Sequence, residues 1–177
     1  MPEPLTYPEV GATLRVAAPM PRGYHHVERR VRVGVGSEVF RRVADGVLGW
    51  EVLRGAGLEV RADADRVVEG AEVTSTLRLG PVRFGAPCRV VGVVDEPDRA
   101  GFAYGTLRGH PESGEEAFVV DRDPDDVVWF TVRAFSRPGT WWSYLGSPAA
   151  RAIQHRVTTR YLAAGRRLAD TTRPRGG

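Results

Sequence analysis

From Tyr24 to Val35 the chain alternates. His25, Val27, Arg29, Val31, Val33 and Val35 fall on one side, and Tyr24, His26, Glu28, Arg30 and Arg32 on the other. A two-residue period with one apolar side is the signature of a strand. At Ser37 the period changes. Val39, Phe40, Val43, Val47 and Trp50 recur at helical spacing behind Ser37 as N-cap, and Gly46 and Gly49 predict a split into two short helices. From Leu58 to Ser136 the pattern is strand and turn throughout. Strands are predicted over 58–62, 66–69, 71–79, 82–95, 99–108, 115–122 and 127–136, separated by Asp63-Ala-Asp65, Gly80-Pro81, Glu96-Pro-Asp98, Gly109-His-Pro111 and Asp123-Pro-Asp-Asp126.

The last element is a helix over 148–169. Ser147 serves as N-cap, Pro148 occupies the first turn, and Ala150, Ile153, Val157, Tyr161, Ala164 and Leu168 trace one apolar stripe. Short turns make consecutive strands antiparallel neighbours, and so long a meander curls and needs a cover for its concave face. The expected fold is therefore α+β: a curved antiparallel sheet of about six to seven strands wrapped on a long C-terminal helix, with two short helices after the first strand. This is the helix-grip plan, which resembles that of the birch-allergen and START-like proteins. Residues 1–23, with five prolines, form an irregular arm laid on the single domain 24–170, and residues 171–177 form a disordered tail.

Composition narrows the chemistry. The chain has 177 residues with 25 Lys+Arg against 22 Asp+Glu, and every one of those cations is arginine. Lacking lysine, it has no Schiff-base or phosphate-loop amine. The two signs are interspersed and the net charge is only +3, so no nucleic-acid footprint is present. A single cysteine, Cys88, excludes an internal disulfide and reads as a small buried hydrophobe. The start Met1-Pro-Glu-Pro4 has neither a basic nor an apolar leader region, and no run of apolar residues is long enough to span a membrane, so a cytoplasmic location is expected.

Several stretches carry a more specific resemblance: Leu5-Thr-Tyr-Pro-Glu-Val-Gly-Ala-Thr13, Gly34-x-Gly36 with Phe40 and Trp50, Gly101 through Phe118, Ala134-Phe-Ser-Arg-Pro138, and Gln154-x-Arg156-x-Thr158-x-Arg160-Tyr161. Together, over residues 5 to 168, the chain resembles domain-of-unknown-function family nineteen-ninety, found in bacteria and plants. One departure is Arg108, where that family more often has proline. The resemblance implies a START-like fold and leaves the chemistry open, because the family has no established function.

The segment Tyr104 to Glu116 is the richest in reactive groups. On its first strand Phe102, Tyr104, Thr106 and Arg108 share one face, while Gly101, Ala103 and Gly105 share the other. Consecutive small residues admit close approach, by a ligand, the C-terminal helix or the N-terminal arm. Gly109 to Gly114 is expected to turn the chain. Glu115 and Glu116 must then point to opposite faces of the next strand, so one of them at most faces a cavity. A carboxylate beside His110 would raise its basicity, the minimum for general acid–base work; the competing reading is a hydrogen-bonded turn. Arg133, Ser136 and Arg137 close the last strand, where an arginine fork suits Glu115 or Glu116 across the sheet, or an anionic head group. Trp129, Trp141, Trp142 and Tyr144 add aromatic mass suited to core or lid.

Metal and nucleotide readings fail on spacing. His25 and His26 diverge from a strand, His110-Pro-Glu112 lacks the Pro-Cys-x-x-Cys of zinc deaminases, and Gly34-Val-Gly36 is followed by an antiparallel meander instead of a second parallel strand. No metal or cofactor is expected. The expected function is binding of a small, mostly apolar molecule bearing a polar or anionic group, through Trp50, Tyr104, Thr106, His110, Glu116, Arg133, Ser136 and Arg137. The alternatives are an enzyme of cyclase, dehydratase or hydrolase type using His110 with Glu115 or Glu116, and a protein-interaction domain using the arm with Trp141 and Trp142.

Overall fold

The computed structural model describes residues 3–15, 18–139 and 147–170, the side chains of 79 and 147–151 excepted. A short 3-10 turn (Ala12–Leu14) precedes β1 (His25–Val35), α1 (Ser37–Leu48) and α2 (Glu51–Gly55). Then follow β2 (Glu59–Ala62), β3 (Glu72–Leu79), β4 (Val82–Glu96), β5 (Arg99–Thr106), β6 (Glu112–Arg122), β7 (Val127–Pro138) and α3 (Ser147–Asp170). The seven strands form one sheet in the order β1-β7-β6-β5-β4-β3-β2. Each pair is antiparallel, so β2 to β7 is a meander and β1 completes the sheet beside β7. Register slips between Arg32 and Gly34 and between Val90 and Gly92 bend it.

The sheet has two covered faces. On the inner face Phe102, Phe118 and Val132 lie in one cross-strand row and Ala100, Val120 and Phe130 in the next, packed with Val43, Val47, Trp50 and Tyr161 from the helical layer. On the outer face Ala103, Ala117 and Val119 meet Leu14 of the arm. Gly105 lies directly under the Tyr7 ring, and a Cβ there would collide with the Tyr7 hydroxyl. The small-residue face of β5 is thus filled by the N-terminal arm. Tyr7 also packs edge-on against Phe135, 5.5 Å between centroids.

Local expectations are corrected at four places. Segment 66–69 is not a strand: the Val67 amide donates to the Leu48 carbonyl (2.8 Å), and its side chain enters the core as a loop residue. The helical break falls at Gly49-Trp50, with Trp50 in the left-handed region at φ 66°, while Gly46 stays helical beneath Leu168. Ser37 is itself helical and Gly36 takes the cap position. Finally, β6 begins at Glu112 instead of 115, because Glu112, Ser113 and Gly114 pair with Pro138, Arg137 and Ser136 of β7, while on the β5 side Thr106 Oγ1 accepts from Gly114 N (3.0 Å) and donates to Gly114 O (3.2 Å). The expectations for Trp141, Trp142, Tyr144 and the tail 171–177 lie outside the described residues.

The stripe of α3 is buried only in part. Tyr161 and Ala164 are enclosed and Val157 and Leu168 partly so, whereas Ile153, nearer the N-terminal end, is 39% exposed. The helix seats tightly at its C-terminal half, where Gly165 leaves no room for a side chain against the Phe130 ring.

Candidate ligand-binding site

The two adjacent glutamates of β6 are sent to opposite faces by the pleat, and they meet opposite fates. Glu115 lies on the outer face, opposite Gly105 and Phe135. Its Oε2 accepts from the Tyr7 hydroxyl (2.7 Å) and the Gly11 amide (2.7 Å), and its Oε1 from the Thr13 amide (2.8 Å) and the Thr13 hydroxyl. Four donors from the arm saturate the carboxylate, which is 3% exposed. That accounts for a buried charge without a cation. Burial and the neighbouring carboxylate push the Tyr7 hydroxyl well above the ordinary phenol range.

Glu116 lies on the inner face, between Tyr104 of β5 and Ala134 of β7. The Tyr104 hydroxyl donates to its Oε2 at 2.9 Å. Tyr161 comes down from α3 against the same hydroxyl, and Cys88 approaches from β4. Burial pushes the Glu116 carboxyl up to about 7; the Tyr104 hydrogen bond opposes this, and the charge of Glu112 adds to it. Burial likewise holds Tyr104, Tyr161 and Cys88 well above their ordinary ranges.

Glu112 shares this inner face four residues earlier on the strand, and burial raises its carboxyl while the Ser136 hydroxyl opposes the shift. Gln154 reaches from α3 to Ser136 Oγ (3.1 Å) and Glu112 Oε2 (3.4 Å), and Thr158 Oγ1 donates to the Gln154 carbonyl (2.9 Å). None of the ion pairs among the described residues involves Glu112 or Glu116. Glu115, Ala117, Phe118, Tyr104, Ala134 and Tyr161 around Glu116 are all buried, while Glu116 itself keeps partial exposure. Farther across the same face, Ser75 of β3 is 7% exposed and its hydroxyl has no partner among the described residues.

The other expected site residues disperse. Trp50 is fully buried, stacks edge-on against Phe102 and donates its indole N–H to the Ala64 carbonyl (3.0 Å). Thr106 is occupied by Gly114 and by Thr6 of the arm. Arg133 lies on the outer face, where it donates to the carbonyls of Arg15 (2.8 Å) and Ala18 (3.1 Å) and pairs with Glu28 (3.3 Å) instead of Glu115 or Glu116. Arg137 stands exposed over the Tyr24 ring, 5.0 Å from its centroid. His110 is held inside its own turn: Nδ1 lies 2.9 Å from both the carbonyl and the amide of Glu112, and burial lowers the imidazole to about 4. Ser136 stays beside Glu112 and Gln154 on the inner face.

Glu112, Gln154 and Tyr161 are the inner-face polar groups that sequence reasoning passed over. Glu112 was hidden inside an expected turn, although its even number places it on the side of Glu116 once the strand is extended. Gln154 and Tyr161 are visible in the family resemblance and as helix positions two turns apart on one face.

A seven-stranded antiparallel sheet gripping a long C-terminal helix, with two short helices after the first strand, defines the birch-allergen and START-like helix-grip class. Solved structures of that class superimpose on it. Ara h 8.0201 does so with a TM-score of 0.54 at 12% identity, covering 84% of this chain and 100% of that one. Norcoclaurine synthase from Thalictrum flavum gives 0.54 at 12%, covering 85% and 96%. At such identity the likeness is one of fold. Within the class, the chain belongs to the family described as Domain of unknown function (DUF1990), whose model matches residues 6–164. A UPF0548 protein of Deinococcus radiodurans is 36% identical over 142 residues, 75% of this chain and 72% of that protein. One from Arabidopsis thaliana is 38% identical over 58 residues, 33% of this chain and 28% of that protein. Fold class and family thus agree with the expectation from sequence. No helix among the described residues is long and apolar enough to cross a membrane.

Proposed function

We propose that the protein binds a small, mostly apolar molecule in a recess between the inner face of the sheet and the N-terminal half of α3. The observation that carries this is the partial exposure of Glu116 on a covered face, with Tyr104, Phe118, Ala134 and Tyr161 buried around it. Accessible surface at that position supports a recess. The exposure of Ile153 on the N-terminal half of α3 supports an apolar mouth where the helix stands clear of the sheet. Tyr104, Glu116, Ser136, Glu112 and Gln154 supply the few convergent polar groups. That the fold accommodates small aromatic molecules is supported by the norcoclaurine synthase neighbour, whose structure holds dopamine and hydroxybenzaldehyde. The same reading takes 24–170 as the binding domain, 1–23 as an arm on its outer face, and the cytoplasm as its compartment.

Native mass spectrometry of the purified protein tests it, together with titration of an apolar fluorophore. A retained small molecule, or saturable one-to-one uptake, is expected. A folded protein that takes up neither overturns the reading.

An enzyme on the same scaffold is a second reading, favoured by one observation: a carboxyl held near 7 and hydrogen-bonded to a phenol is matched to proton transfer at neutral pH. In that reading Glu116 with Tyr104 replaces His110, whose ring is spent on its turn. Conversion of the retained molecule by wild type and not by Glu116→Gln is its test.

A further inference from the structure

We infer that the outward face of α3 docks the protein on an anionic lipid surface. This goes beyond the recess proposed above and stands without it. The observation that carries it is where the charge sits. α3 (Ser147–Asp170) holds five arginines, Arg151, Arg156, Arg160, Arg166 and Arg167, against one acid, Asp170, which leaves +4. The other 153 residues hold twenty arginines against twenty-one acids, which leaves −1, and the two together give the net +3. The whole positive surplus of the chain therefore lies on one helix.

The helix turns that surplus outward. At 3.6 residues per turn, Arg156, Arg160 and Arg167 fall within about 40° of one line along α3, and that line is about 120° from Tyr161, which is buried against Phe118. Arg156 and Arg166 are exposed and Arg160 is half-buried, while Arg167 is exposed and donates to the Gly55 carbonyl at the end of α2. Each acid of α1 and α2 is matched by an arginine outside α3: Glu38 by Arg42, Asp45 by Arg66 and Glu51 by Arg54. A cationic field over this side of the molecule is the result, and it is complementary to an anionic leaflet.

Two features select lipid over nucleic acid. Ile153, 39% exposed, stands one turn before Arg156 and offers aliphatic surface beside the guanidinium. Tyr161, the one Phe, Tyr or Trp of α3, is buried in the core, so the helix presents no such ring on which a base could stack. The apolar stripe of α3 is spent on the core, which makes the contact adsorption and not insertion. Docking this way brings one wall of the proposed recess to the phase in which apolar molecules dissolve.

Co-sedimentation with vesicles tests it, using phosphatidylcholine alone and phosphatidylcholine with about a third phosphatidylserine. The protein is expected to bind the anionic vesicles at least about tenfold more tightly, and to leave them between about 50 and 500 mM salt as screening shortens the reach of the charges. Each arginine near an anionic leaflet is worth roughly fivefold in binding, so Arg156→Gln with Arg166→Gln is expected to lose at least about tenfold at an unchanged melting temperature. Arg156→Lys with Arg166→Lys is expected to keep the binding. Arg78→Gln with Arg83→Gln makes the same charge change on the β3–β4 hairpin and is expected to lose much less. Equal losses from the two glutamine pairs, equal binding to neutral vesicles, or duplex DNA binding more tightly than anionic vesicles at equal phosphate concentration overturns the inference. A protein that takes up an apolar molecule and ignores anionic vesicles overturns the docking alone; one that docks and takes up nothing overturns the recess alone.

Discussion

Replacing Glu115 by Gln tests how the arm is held. In the native structure each carboxylate oxygen serves two donors, Oε2 the Tyr7 hydroxyl and Gly11 amide, Oε1 the Thr13 amide and hydroxyl. Glutamine keeps one acceptor oxygen and turns an NH₂ toward the other two donors, so two charge-assisted bonds are lost and two are reduced to neutral strength. At roughly 1.5–3 kcal/mol for a bond to a charged group and about half that for a neutral one, the loss sums to about 4.5–9 kcal/mol. It is capped by the free energy of docking the arm, because the arm can detach and return its donors to water. Urea denaturation followed by tryptophan fluorescence gives the stability change, and hydrogen exchange at Gly11 and Thr13 gives the local one. Exchange protection is expected to collapse at both amides even where the global loss reaches its cap. A stability change below about 0.5 kcal/mol with both amides still protected would refute the account, since surface substitutions fall within that range.

The inner carboxyl, Glu116, sets a pH dependence. Because Glu116 titrates at about 7 in the fold against an ordinary 4.5, the folded state holds a proton that the unfolded chain releases between those values, so stability falls as pH rises through this window. Glu116→Gln is therefore expected to gain on wild type by on the order of 2–3 kcal/mol from pH 4.5 to 7.5 in denaturation series, and a flat difference contradicts it. Gly105→Ala is expected to cost about 1–3 kcal/mol by pushing against Tyr7, and less in a Tyr7→Ala background; additive losses in that double-mutant cycle would show that the two do not touch. His110 should show no imidazole titration by NMR above about pH 5, given a value lowered to about 4, and a midpoint near 6.5 would mean the ring is free of its turn.

Most of the fold is legible because the strands announce themselves by turns, and α3 by its stripe. What resists reading is β5 to β7, where both faces are covered and the apolar alternation disappears. On β7 the inner residues Val128, Phe130 and Val132 sit beside an outer Phe135 that packs under Tyr7 and Tyr24, so hydrophobicity alone does not say which side is inside. Parity does separate Ser136 from Arg133 and Arg137, and taking the three together as one cluster overlooked it. The end of β6 was hidden for another reason. Residues 112–114 are strand because they pair with 136–138 of β7, a long-range contact that turn propensity at Gly109-His-Pro111 cannot register.

The neighbouring glutamates of β6 give the strongest argument for a site, because each is the control for the other. They share a residue type, a strand, a sheet position one residue apart, and freedom from any ion pair among the described residues. The fold supplies the outer one with four donors, two of them backbone amides from an arm whose path is shaped to deliver them. Among the described residues it supplies the inner one with one tyrosine hydroxyl, and it sets a second carboxyl on the same face. A chain able to saturate a buried carboxylate on one side of a strand leaves its neighbour, among the described residues, with one donor on the other. Burying such a group costs free energy, and the cost is offset when something arrives to complete it. The contrast between Glu115 and Glu116 is what supports the inner face of the sheet as the side of the proposed site.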